Sequence, residues 1–358
     1  MRIAIVAGGT GGHIYPGIAL ADEFMSREPR AEIVFLGGAE GLESELVARA
    51  GYRLELIRAR ALTRKLSYQA LSAPFISLLG FFQALAVLKR FAPRALVSTG
   101  GYASLPVVAA AKLLGIPIYL QEQNLLPGFT NRLYRRWARQ IFLSFEGTKK
   151  YMDGVVTGNP VRREILAADR AQSRRALGYG PDDKVVFIMG GSQGARSLNL
   201  TVVGALPLIS PASGVKIIHV VGKRDAGLVA AALGGRQYAF YQRVEYLYNV
   251  SERLAAADLA VSRAGATAIA EFTALGLPMV LVPFPFSAAG HQELNAELVA
   301  AAGAGWRVKN EDFTSEKFAA LASGDGLDLK TAGAAAKRLG HPQAARQIVD
   351  LILADNKG

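Results

Sequence analysis

Ile3-Ala4-Ile5-Val6-Ala7-Gly8-Gly9-Thr10-Gly11-Gly12-His13 reads as a short apolar strand that runs straight into a glycine cluster. A helical pattern follows it. Farther along, Ile188-Met189-Gly190-Gly191-Ser192-Gln193-Gly194 repeats the arrangement. Glycines between a strand and a helix let backbone N–H groups approach an anion at the helix N-terminus, where the dipole favours negative charge. Each loop taken alone is also consistent with nothing more than a tight turn. Two of them predict two Rossmann-like domains whose ligand loops lie beyond the carboxyl ends of parallel strands and face a cleft.

Around the first loop, β-branched runs at residues 3–7, 32–36, 54–57, 95–99, 117–121, 140–144 and 155–157 read as strands. Helical patterns at 17–27, 104–114 and 128–139 lie between them. Such alternation argues for a parallel sheet buried on both faces. The rhythm breaks at Gly158-Asn159-Pro160, and Gly178-Tyr179-Gly180-Pro181 reads as a linker. Strands are then expected at 184–189, 215–221, 238–241, 259–262, 278–282 and 306–309, with helices at 267–275, 293–302 and 344–354. The expected domains are 1–160, 161–340 and a C-terminal helix at 341–358, for which packing back on the first domain is one option.

At 358 residues, 51% apolar and 20% charged, the chain can bury two sizeable cores. It contains no cysteine, which excludes disulfides, thiolate metal sites and a cysteine nucleophile. The opening apolar stretch is too short for a signal peptide, and no apolar run reaches bilayer-spanning length. The net charge of +12 is uneven: residues 1–160 hold 19 Lys/Arg against 11 Asp/Glu. Such an excess suits an anionic substrate, an anionic membrane surface or nucleic acid. No basic–aromatic RNA motif or helix-turn-helix pattern supports the last, so no nucleic-acid partner is expected.

Neither glycine loop fits G-x-G-x-x-G, and residues 35–38 lack the acidic residue that holds a dinucleotide ribose, which argues against a nicotinamide dehydrogenase. No P-loop, H-E-x-x-H or D-x-D occurs, so neither a metal nor a cofactor is expected. His13 closes the first loop, where it suits a general base, a phosphate donor or a local cap. His219 lies in an apolar run and reads as core. Ser262-Arg263-Ala264-Gly265-Ala266-Thr267-Ala268-Ile269-Ala270-Glu271 suits a diphosphate at a helix start with a ribose on Glu271, or only a helix cap.

Several segments together resemble glycosyltransferase family 28, and within it the N-acetylglucosaminyltransferases of peptidoglycan synthesis. They are G-G-T-G-G-H at residues 8–13, Gly100-Gly101-Tyr102-Ala103-Ser104, Glu122-Gln123-Asn124, Thr157-Gly158-Asn159-Pro160-Val161-Arg162, residues 190–196, the Arg263 to Glu271 segment, and Pro283-Phe284 with His291-Gln292 and Asn295-Ala296. The resemblance runs from residue 3 to about residue 310. It implies an α/β fold of GT-B architecture with UDP-GlcNAc held mainly by the second domain. The implied reaction is inverting transfer of GlcNAc to the 4-hydroxyl of MurNAc in lipid I, giving lipid II. The alternative is another GT-B enzyme, such as a glycolipid glycosyltransferase or a UDP-GlcNAc 2-epimerase.

Residue by residue, the resemblance places Ser192 and Arg162 on the diphosphate, Glu271 on the ribose and Leu247 at the uracil. Gln292 and Asn124 fall on the sugar, and Thr10, Gly11 and Gly12 on phosphates. Ala266, Thr267 and Ala268 open the diphosphate helix. His13, Glu122 and Tyr102 are the catalytic candidates. The chain departs from the family at Gln121, at residues 287–290 and at Thr267, one position earlier than usual, which bears on donor contacts.

The implied acceptor is a membrane lipid, so a peripheral position on the cytoplasmic face of the bacterial plasma membrane follows. That leaves room for partners in cell-wall or division complexes. Residues 71–88 supply an apolar face with Phe75, Ile76, Leu78, Leu79, Phe81 and Phe82. Arg58, Arg60, Arg64 and Lys65 flank it on one side, and Lys89, Arg90 and Arg94 on the other. This suits an anionic inner-membrane surface.

Overall fold

The computed structural model describes residues 1–39, 41–59, 68–191, 194–324 and 326–356. The chain divides into two compact units, residues 1–162 with 341–358, and residues 163–340.

The first unit holds β1 (Arg2–Val6), β2 (Glu32–Gly38), β3 (Arg53–Ile57), β4 (Ala95–Ser98), β5 (Ile118–Glu122), β6 (Gln140–Leu143) and β7 (Val155–Val156). They form one parallel sheet in the order β3-β2-β1-β4-β5-β6-β7. Ile3, Ala4, Ile5 and Val6 are all fully buried, as a strand covered by helices on both faces requires. The helix Gly11–Arg27 begins inside the glycine cluster, earlier than the expected 17–27, with Pro16 within it. A proline so near a helix start removes one backbone bond without stopping the helix. The helix Ala344–Asp355 lies against Gly11–Arg27, where Arg27 pairs with Asp350 at 2.6 Å. Its end is fastened by Asp355, which accepts from the Tyr119 hydroxyl and from Arg139.

The second unit holds β8 (Lys184–Met189), β9 (Val215–Val220), β10 (Tyr241–Val244), β11 (Leu259–Ser262), β12 (Met279–Leu281) and β13 (Gly305–Arg307). Their order is β10-β9-β8-β11-β12-β13, again parallel. Gly178–Pro181 is no linker between units. Gly178 caps the helix Arg170–Leu177 in the left-handed region, and Arg174 binds the Gly180 carbonyl, both inside the second unit. Two strands are displaced from their expected places. β10 begins only at Tyr241, the last residue of the aromatic run at 238–241; Phe240 just before it is buried in the core, and its carbonyl accepts from the Ile217 N–H at 2.7 Å. β13 begins at Gly305, where a Cβ would meet the Met279 carbonyl oxygen, so only glycine fits that approach.

In each sheet, strand order reverses direction at one place: between β1 and β4, and between β8 and β11. Open α/β sheets bind ligands outside the carboxyl ends of strands at such a switch point. Both glycine clusters follow a switch-point strand.

Candidate active site

After β1 the chain turns through Gly9, whose φ of +90° is left-handed backbone. A Cβ there would lie 2.9 Å from the Tyr102 ring. Thr10 stands at the cap position of the following helix without a side-chain capping bond, so Thr10, Gly11 and Gly12 present a helix N-terminus. The Gly9 N–H itself donates to Glu43 Oε1 at 2.7 Å, and the Gly38 N–H reaches the same oxygen at 3.1 Å. Glu43 is fully buried, and its other oxygen has no hydrogen-bond partner among the described residues. The Tyr102 hydroxyl lies 3.5 Å from Glu43 Oε1, with the tyrosine half-buried.

His13 Nδ1 sits 2.8 Å from the Thr99 carbonyl oxygen. A carbonyl can only accept, so Nδ1 carries the hydrogen and Nε2 carries the lone pair of the neutral ring. Thr99 Oγ1 donates back to the His13 carbonyl at 2.8 Å. Gln123 donates to Thr99 and Gln121, and Gln121 donates to Ser144 and Asn159. This buried amide chain fixes the floor beneath the imidazole.

Glu122 is buried, and burial pushes its carboxyl upward against the pull of its hydrogen bonds. Oε1 accepts from the Asn124 N–H, and Oε2 from the Gly128 N–H and Asn131 Nδ2, all within 2.9 Å. Both oxygens are therefore committed to holding the loop after β5. Asn124 is half-buried in that loop, its carbonyl accepting from Thr148. Arg162 is buried with its guanidinium carbon 3.9 Å above the Tyr15 ring, and Tyr15 lies against Gly11. The first unit thus gathers Thr10, Gly11, Gly12, His13, Tyr102, Glu122, Asn124 and Arg162 at the carboxyl end of its sheet. Sequence reasoning missed Glu43, since a glutamate in the first turn of a short helix looks like any surface carboxylate.

In the second unit, Gly191 and Gly194 take φ of +111° and +91° before the helix Arg196–Ala205. Ser192 lies outside the described residues. Ser262 closes the switch point by donating to the Met189 carbonyl at 2.7 Å. Gly265 then caps the helix Ala266–Leu275, whose first turn contains Ala266, Thr267 and Ala268. Glu271 is buried one turn on. Gln292 accepts from the Phe284 N–H at 2.9 Å, and Asn295 donates to the Ala264 carbonyl. These bonds bring the 263–271 segment and Gln292 together. Leu247 stands apart, half-buried in the loop after the outer strand β10. Among the described residues no group of His, Asp and Glu is placed to hold a metal ion.

A third feature lies on the first unit. On the helix Tyr68–Phe91, Phe75 is 73% exposed and Phe82 58%, with Leu78 and Leu79 also exposed. Arg58, Lys89, Arg90 and Arg94 are exposed too, while Arg60, Arg64 and Lys65 lie outside the described residues. Phe129, Leu133 and Trp137 add an exposed stripe among Arg132, Arg135 and Arg136, which sequence reasoning had read only as helix. No helix among the described residues is long and apolar enough to cross a membrane.

Residues 3–143 match the glycosyltransferase family 28 N-terminal domain, and residues 185–347 match its C-terminal domain. The chain is 40% identical to the UDP-N-acetylglucosamine--N-acetylmuramyl-(pentapeptide) pyrophosphoryl-undecaprenol N-acetylglucosamine transferase of Moorella thermoacetica, covering 99% of this chain and 98% of that one. It is 38% identical to the protein of that name from Geobacter sulfurreducens over 100% and 99% of the two chains. Among solved structures, MurG of Acinetobacter baumannii aligns with a TM-score of 0.75 at 28% identity over 99% of both chains. The UDP-GlcNAc 2-epimerase of Neisseria meningitidis, at a TM-score of 0.69 and 15% identity over 99% of this chain and 100% of that one, shares the fold alone.

Proposed function

The chain belongs to glycosyltransferase family 28, and on that premise we propose that it transfers N-acetylglucosamine from UDP-GlcNAc to lipid I, making lipid II for peptidoglycan. The observation that carries this reading is the likeness to lipid I transferases over the whole chain. The placing of both glycine clusters at switch points supports it. The architecture is GT-B, with the second unit taking the donor and the first taking the acceptor.

The reaction is a single displacement. The MurNAc 4-hydroxyl attacks the anomeric carbon, the bond from that carbon to the β-phosphate oxygen breaks, and its electron pair leaves with UDP. Configuration inverts from α to β. His13 is the base, because Nε2 holds the lone pair while Thr99 holds the ring. Glu122, with both oxygens committed, shapes the loop that carries Asn124. Tyr102 packs over the first glycine loop. Thr10, Gly11, Gly12 and Arg162 meet phosphate charge in the first unit. Ser192, Ala266, Thr267 and Ala268 meet the donor diphosphate, Glu271 the ribose, Leu247 the uracil and Gln292 the sugar.

The exposed Phe75, Leu78, Leu79 and Phe82 with their cationic surround seat the protein on an anionic membrane surface as a peripheral protein on the cytoplasmic face. A part in cell shape and division, with partners in those complexes, follows from the product. The deciding experiment measures UDP release from UDP-GlcNAc with and without a short-chain lipid I analogue, beside His13→Ala. Acceptor-dependent release, lowered about 10²-fold or more in the variant, is expected. Conversion of the UDP-sugar without acceptor would overturn the reading in favour of an epimerase.

A further inference from the structure

Arg263 is a buried cation without a counter-ion among the described residues. Only 7% of it is exposed. Nη1 donates to the carbonyls of Val282 and Pro283 at 3.0 and 3.2 Å and to Asn310 Oδ1 at 2.9 Å. Nη2 donates to Ser197 Oγ at 2.8 Å, and Nε has no hydrogen-bond partner among the described residues. Every acceptor is neutral, and among the described residues no carboxylate pairs with it. Burial lowers its pKa to about 10, which still leaves it charged at neutral pH. A buried charge left uncompensated is strongly unfavourable, so its retention calls for an anion.

The surroundings add positive potential. Ser197 is the second residue of the helix Arg196–Ala205, and Ala266 opens another helix three residues after Arg263. Both helices direct their positive ends to the switch point between β8 and β11. Each supplies a partial charge, and Arg263 supplies a whole one.

We propose that Arg263 is a positioning residue whose charge is balanced by the nucleoside diphosphate at this switch point, and most fully by the departing one. The proposal rests on the donor reading above. The guanidinium is too enclosed to embrace the phosphates. It acts through its field and by fixing Ser197 and the Val282–Pro283 backbone. When the bond to the anomeric carbon breaks, the diphosphate gains one unit of negative charge, so Arg263 favours product formation over donor binding.

The test compares calorimetric binding of UDP and of uridine to the wild type, Arg263→Lys, Arg263→Gln and Asn310→Asp. The last places a carboxylate beside the guanidinium while keeping the side chain's shape, so it stands where Arg263→Gln fails to fold. In Arg263→Gln and Asn310→Asp, UDP affinity should fall roughly ten- to hundredfold while uridine affinity stays within about twofold. Arg263→Lys should keep most of the preference for UDP over uridine. In turnover, kcat should fall more than the KM for UDP-GlcNAc rises. Equal weakening of UDP and uridine, or unchanged UDP binding in Asn310→Asp, overturns the proposal and leaves Arg263 a structural tie. Failure of the wild type to bind UDP would instead sink the donor reading.

Discussion

His13 and His219 are each anchored by oxygen atoms, and exposure separates their work. His13 is half-exposed, with Nδ1 committed to Thr99. His219 is fully buried between the Tyr241 hydroxyl and Asn199, and burial lowers its pKa from 6.5 to about 3. The unfolded chain takes up a proton on this ring below about pH 6.5, whereas the folded chain does so only near pH 3. The stability carried by the neutral ring is therefore full above pH 6.5 and is lost as pH falls toward 3, at ~1.4 kcal/mol per pH unit. Urea unfolding of wild type and His219→Gln at pH 7 and 4.5 should show the variant losing about 2–3 kcal/mol less on acidification; equal losses would show that another group carries the acid limb. Glu43 sets a second residue-scale expectation. Replacing it with alanine strands the Gly9 and Gly38 N–H groups, at about 1–3 kcal/mol each. Glutamine keeps an acceptor there, so thermal stability should fall and acceptor KM rise in the order wild type, Glu43→Gln, Glu43→Ala. If alanine is as stable and active as the wild type, the glycine loop does not depend on this carboxylate.

At the scale of elements, the strands of the first sheet were legible because buried parallel strands are continuous β-branched runs punctuated by turns. β10 and β13 were less so. In β10 the aromatic run drew the reading to Tyr238, whose ring packs against the core ahead of the paired residues from Tyr241 on; in β13 it drew the reading to Trp306, which does pair with Val280 but follows the glycine that starts the strand. The helix Tyr68–Phe91 was legible as apolar, but only the fold shows which of its side chains stay uncovered. Phe81 packs against the core, whereas Phe75 and Phe82 do not. Since exposed side chains contribute little to folding, Phe75→Ser with Phe82→Ser should leave thermal stability nearly unchanged. The same pair should weaken binding to anionic vesicles by about 2 kcal/mol, a roughly 30-fold loss seen by flotation. Turnover of a water-soluble acceptor should persist. Undiminished vesicle binding would move the membrane contact elsewhere, with the Phe129, Leu133 and Trp137 stripe as the next surface to substitute.

For the whole molecule, both sheets reverse strand order beside a glycine cluster, and the described site residues read from sequence lie at the carboxyl ends of strands, in the loops after them or in the helices that follow. That was legible because backbone approach to phosphate demands glycine at fixed places. Arg263 belongs to a motif, yet its lack of a counter-ion among the described residues was not legible. It depends on Ser197, Val282, Pro283 and Asn310 converging from distant stretches, which spacing along the chain does not show. The positive poles that the second unit assembles this way are permanent: the helix starts at Arg196 and Ala266, together with Arg263. Leaving-group charge that is met by helix dipoles and guanidinium groups does not require a divalent ion for the same work. Purified protein treated with chelator and assayed in metal-free buffer should therefore keep its acceptor-dependent UDP release within about twofold. Loss of that release, restored by added magnesium, would transfer the stabilising charge from the protein to a metal and reduce these poles to a binding role.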